Sequence, residues 1–162
     1  MIEIKFDKKF LEKLSPKDQV KVESEVSYII LSASQELEKY IDSMDNKVVE
    51  NMSEDELINL YNEGVSRMKK KFDELYKSSK TLEILKEKGE DVNKVGEKIT
   101  YGLEAFAKNA LFLVLFNNYL EREASDDLGE IKQKMREYMK KIGIEEFEKA
   151  YYALLKADGL DI

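Results

Sequence analysis

The side chains in this chain whose spacing could support chemistry are pairs of carboxylates one helical turn apart, Glu87 with Glu90 and Glu123 with Asp126. On two facing helices such pairs could hold Mg2+ against the pyrophosphate of a nucleotide, because a hard cation takes oxygen ligands held at fixed spacing. The first pair straddles Gly89, where a helix is expected to stop, and the second sits at the end of the most apolar segment. Neither is a rigid platform, and polar helix ends meeting water account for both. No metal or cofactor site is therefore expected, and Mg-dependent pyrophosphate hydrolysis is the remotest reading. Among 162 residues there is no His and no Cys, which removes imidazole acid/base catalysis, thiol nucleophiles and the usual zinc, haem and di-iron ligand sets. Gly-rich phosphate loops are absent, and the Ser residues have no His to activate them. The expectation is a protein that is not an enzyme.

Charge is distributed more informatively than reactive groups are. The formal net charge is −7, yet 36–63 alone carries nine acidic and two basic residues while 67–80 carries six basic and two acidic. A second basic stretch, 130–141, has five basic and two acidic residues, with Lys132, Arg136 and Lys140 recurring every four positions along one helix face. Lys69, Lys70, Lys77, Lys132, Arg136 and Lys140 could track the phosphates of RNA or DNA, or meet an acidic partner. Solvated helix faces account for the same runs. Arg occurs at 67, 122 and 136 alone, which argues against base-specific reading. Tyr28, Ile30, Tyr101, Leu111, Leu115 and Tyr152 are surplus apolar residues that could form a protein interface or simply fill the core.

These residues must be positioned by helices. With 43% apolar and 38% charged residues and a single Pro, the composition suits long helices and lacks the turn chemistry of a sheet protein. The spacing predicts an all-α, single-domain bundle of about five helices over 1–162, arranged around a central helix at Ile99–Glu121 whose run Ala110–Phe116 is apolar on every side. Residues 1–14 are expected to form an extended arm, with Ile2, Ile4 and Phe6 alternating, and then a short helix capped by Asp7 with Phe10, Leu11 and Leu14 as its apolar face. Ser15-Pro16 opens a helix to about Met44. Ser53 with Glu56 is a capping box opening a second long helix that pairs with the first, is interrupted near Ser78-Ser79 and ends near Gly89. Asp91 caps the central helix, and Gly96 and Gly102 within it fit a close backbone approach. Ser125–Asp127 opens a helix stopped by Gly143-Ile144, and a last helix runs from Glu145 to about Ala157.

The stretch Leu82–Leu111, with Leu85-Lys86-Glu87-Lys88-Gly89-Glu90-Asp91 leading into Gly96-Glu97-Lys98, Tyr101-Gly102 and Ala105–Ala110, resembles the helical hairpin of HEPN-like proteins. Active HEPN ribonucleases carry an Arg followed by His, and the absence of His here implies a non-nucleolytic member that binds a partner or RNA. The apolar run of seven is well short of the roughly 20 residues that span a bilayer, and no signal peptide pattern is seen, so a cytoplasmic protein without membrane contact is expected. Lys and Glu dominating a Cys-free surface resembles the ion-pair-rich surface of a thermophile protein. The leading expectation is a non-enzymatic assembly or adaptor subunit acting through protein contacts, as a homo-oligomer or with another protein. A helical module binding an RNA or DNA backbone is the alternative.

Overall fold

In the computed structural model, residues 9–123, 126–157 and 159 are described, the side chains of Ala150, Leu154 and Leu155 excepted. The expected strand-like arm, its Asp7 cap and Ser125 lie outside the described residues. The described chain is all-α: a 3-10 turn Lys9–Lys13, then α1 Pro16–Asp42, α2 Asn46–Glu50, α3 Glu54–Lys77, α4 Lys80–Glu87, α5 Val92–Glu123, α6 Leu128–Ile142, a second 3-10 turn Glu145–Phe147, and α7 Glu148–Ala157.

Local chemistry sets these boundaries. Ser15 Oγ accepts from the Asp18 amide at 3.3 Å. The Ser53 hydroxyl accepts from the Glu56 amide and donates to its carboxylate, and Asp91 accepts from the Lys94 amide at the head of α5. Gly89 and Gly143 take the left-handed conformation with φ of 72° and 74°. Behind each, a pair of amides reaches back to the last carbonyls of the helix, Gly89 to Lys86 and Glu90 to Leu85, Gly143 to Lys140 and Ile144 to Met139. A residue with a Cβ would be strained there, so both helices stop.

Two compact units emerge, one from the described parts of Met1–Asp42 with Gly64–Ala107, the other from those of Ser43–Glu63 with Lys108–Ile162. Because α3 and α5 each contribute to both, no linker composition betrays the division. In the first unit Val22, Val26, Ile29, Ala33 and Leu37 of α1 are buried with Met68 and Phe72 of α3, Leu85 of α4, and Ile99, Leu103 and Ala107 of α5. The principal backbone neighbours of α1 are α4 and the first 3-10 turn, and Arg67 of α3 lies 4.9 Å above the Tyr40 ring. The long second helix does break where expected: Ser79 Oγ accepts from the Leu82 amide, and the Thr81 amide and hydroxyl both donate to Glu25 of α1 at 2.6 Å.

Gly96 meets a side chain where a backbone had been expected. A Cβ there would stand 2.9 Å from the Tyr76 ring, whose hydroxyl donates to the Val92 carbonyl at 2.7 Å.

The second unit is built on aromatic rings. Phe112 lies 5.1 Å from Phe116, 5.8 Å from Tyr138 and 5.0 Å, edge-on, from Tyr151. Arg122 donates to the carbonyls of Val49 and Met52, satisfying the end of α2. Burial pushes the Tyr138 hydroxyl up in pKa, reinforced by the charge of Glu54, and that hydroxyl has no hydrogen-bond partner among the described residues. An unsatisfied buried hydroxyl costs about 1–3 kcal/mol. Tyr138→Phe is accordingly expected to leave stability unchanged or raise it by about 1 kcal/mol, read as the urea midpoint; a loss of that size would mean that the hydroxyl is satisfied.

The apolar run of α5 has no exposed residue, and the helix is the long central one that was expected. Leu111, Phe112, Leu115 and Phe116 are buried, whereas Ala110, Leu113 and Val114 are half-buried. By length and composition α5 could cross a membrane, with a window of mean hydropathy 1.4, but the core helix of a soluble protein meets that test too.

Candidate functional site

Along its exposed side α1 carries a stretch of uncharged residues. Its inward face is set by Val22, Val26, Ile29, Ala33 and Leu37, which step by three or four residues and are buried. The 3.6-residue period then fixes what points outward. Val20, Ser24, Ser27, Leu31 and Gln35 follow one another at four, three, four and four residues, and all are exposed, with Tyr28 beside them. Val20, Tyr28 and Leu31 are 67%, 63% and 56% exposed. Of the two carboxylates that flank this stretch, Glu23 is exposed, three residues from Val20 and four from Ser27, and Glu25 is turned to Thr81. Burial pushes its pKa up, but the Thr81 hydroxyl and amide, the Lys80 amide and the Lys80 charge outweigh that and hold it below the ordinary 4.5. Fixing it there leaves the stripe itself to uncharged side chains, with Glu23 at its edge.

Such a stripe has the three-and-four spacing that lets one helix seat against another. In a protein with 38% charged residues, an uncharged run on an exposed helix face is unusual, since surface helices normally carry charge there. Sequence periodicity singled out Tyr28 and missed Val20 and Leu31, because a search for the core scores the buried face alone. The signal that could have found them is the lack of any charge among 24, 27, 28, 31 and 35.

The expected interface residues divide. Tyr28 is exposed, as is Tyr101 at 66%, and Tyr152 is half-buried; Ile30 is buried, and Leu111 and Leu115 have no exposed surface at all. Those last three are core, because each falls on the side of its helix turned to its own unit.

The expected basic residues fall in different units. Lys69, Lys70 and Lys77 lie on α3 in the first unit, alternating with Asp73 and Glu74 along a shallow groove. Lys69 is 3.2 Å from Glu104. In the second unit, on α6, Arg136 bonds Glu148 at 2.7 Å, Lys132 is half-buried and Lys140 is exposed. One carboxylate of each pair is likewise engaged: Glu90 lies 3.2 Å from Lys13, and Glu123 lies 3.6 Å from Lys134. Among the described residues no three acidic side chains form a group that could hold a metal ion.

A groove between α3, α4 and α5 in the first unit is a concavity that could take a small molecule. Lys69, Lys77 and Lys86 on its rim are matched by Asp73, Glu97 and Glu104, so it has no net preference for an anion. Tyr76 in its wall is pushed up to about 12 by burial and by Asp91, and it stays protonated near neutrality.

No family model, curated protein or solved structure matches the chain.

Proposed function

We propose that this protein is a non-enzymatic helical assembly subunit that acts by seating the outward face of α1 on another protein. The observation that carries this reading is the exposed, uncharged stripe Val20, Ser24, Ser27, Tyr28 and Leu31. Large apolar side chains left in water on one helix face, beside small ones that let a second surface come close, gain by burial about 25 cal/mol per Å2 of apolar area. The HEPN-like resemblance of Leu82–Leu111 carries a compatible implication, a member without reactive groups that binds a partner. Contact with a nucleic-acid backbone has less behind it, since Lys69 and Arg136 already face Glu104 and Glu148 and a phosphate would have to displace those carboxylates.

A photo-crosslinking residue at position 28, in the protein within its own cells, tests the reading. A covalent protein adduct is expected, reduced about tenfold by Leu31→Glu, which places a charge in the middle of the stripe. Adducts to RNA in place of protein, or no adduct, would overturn it.

A further inference from the structure

Resting on that reading of α1, we propose that the surface it seats on is the same face of a second copy of this chain, antiparallel across a two-fold axis. The symmetry of the charges around the apolar centre carries the argument. On the outward face Lys17 and Lys21, with Glu23 at the edge, stand toward the N-terminal end, and Glu38 and Asp42 toward the C-terminal end. Lys21 precedes Tyr28 by seven residues and Glu38 follows Leu31 by seven; Lys17 and Asp42 stand eleven away on either side. None of the four makes an ion pair among the described residues.

An antiparallel crossing centred between Ile29 and Ile30 stacks Tyr28 of each copy on Leu31 of the other. Ser24 then faces Gln35, a small residue against a flexible uncharged one. The same register brings Lys21 over Glu38 and Lys17 over Asp42, twice each because an isologous interface repeats every contact. Lys39, at the edge of the face, falls beside Val20, where its alkyl stem covers the valine while its charge stays in water. A parallel pairing in register would set Lys21 on Lys21 and Glu38 on Glu38, so the charge pattern selects the antiparallel one.

The expected strength follows from size. A helix of 27 residues is roughly 40 Å long at 1.5 Å per residue. A strip of it about 10 Å wide gives roughly 400 Å2 per copy, half of the ~800 Å2 per partner of a standard interface. The dimer is a weak one that forms with rising concentration.

Sedimentation equilibrium on the full chain, from micromolar to near-millimolar concentration, reads the result. The wild type is expected to pass from monomer to dimer, and Leu31→Glu to raise the dissociation constant about tenfold or more with an unchanged helical circular dichroism spectrum. Glu38→Lys alone is expected to weaken the dimer by about tenfold. Glu38→Lys combined with Lys21→Glu is expected to restore it, because both partners of the pair are exchanged. A wild type that stays monomeric throughout, a dimer indifferent to Leu31→Glu, or a double reversal that fails to restore association would overturn the pairing. Self-pairing and the broader reading fail separately: a monomer whose position 28 still crosslinks to a different protein loses the first and keeps the second.

Discussion

Replacing Phe112 with alanine is expected to cost about 3–5 kcal/mol, the range for deleting a large aromatic from a packed interior. The side chain has no exposed surface, so the whole transfer gain of the ring is lost along with the contacts around the void it leaves. Its three ring neighbours sharpen the expectation. Phe116 stacks on it within the same helix, Tyr138 reaches it from α6, and Tyr151 presents an edge from α7. Aromatic pairs of this kind add about 0.5–1.5 kcal/mol each beyond area burial, and α6 and α7 would lose their shared anchor together. Urea unfolding followed by far-ultraviolet circular dichroism gives the number, and Phe112→Leu, which keeps most of the volume, should cost clearly less. A loss under about 1 kcal/mol for the alanine variant would mean that this cluster is loosely packed.

Glu25→Ala should cost about 1.5–3 kcal/mol at neutral pH, the range for a hydrogen bond to a charged group. Its carboxylate takes the amide and the hydroxyl of Thr81, and Thr81 is itself buried. Removing the acceptor leaves two buried donors unsatisfied at the first turn of α4, where the helix dipole also favours a negative charge. The pH dependence has a definite sign. The folded protein holds this carboxyl below its ordinary 4.5, so the folded state binds its proton less readily than the unfolded chain does. The resulting stabilisation is fully present above about 4.5 and is lost as the pH falls through the lower folded value. The difference in unfolding free energy between wild type and Glu25→Gln should therefore shrink on acidification from pH 6 through that window. A gap that is flat with pH would mean that Glu25 contributes no charge-dependent bond.

How far the chain could be read before folding is seen in its helix ends. Ser53 and Glu56, Asp91, Gly89 and Gly143 each mark a boundary that the structure keeps, and Asp127 caps α6 as expected by accepting from the Gly129 amide at 2.9 Å. These devices close within about five residues, so neighbouring side chains suffice to specify them. Glu25 with Thr81 could not be read in that way, because 56 residues separate them. Nothing in the local sequence tells a carboxylate bound for a distant helix start from one bound for water. The aromatic cluster was legible only in part, since Phe112 was visible as core while its meeting with Tyr138 and Tyr151 depends on how α6 and α7 return.

The same distinction governs the proposed site. The amino-acid sequence determined that α1 is a helix and that Val20, Ser24, Ser27 and Leu31 share one side of it, because periodicity relates residues within a helix. Periodicity carries no information about what lies across from a face. Tertiary structure alone decided that Ile30, Leu111 and Leu115 turn inward while Tyr28 and Leu31 stay in water. The physical reason is that burial depends on neighbours brought in by the rest of the chain, and apolar residues on the two sides of a helix look alike until one side is covered.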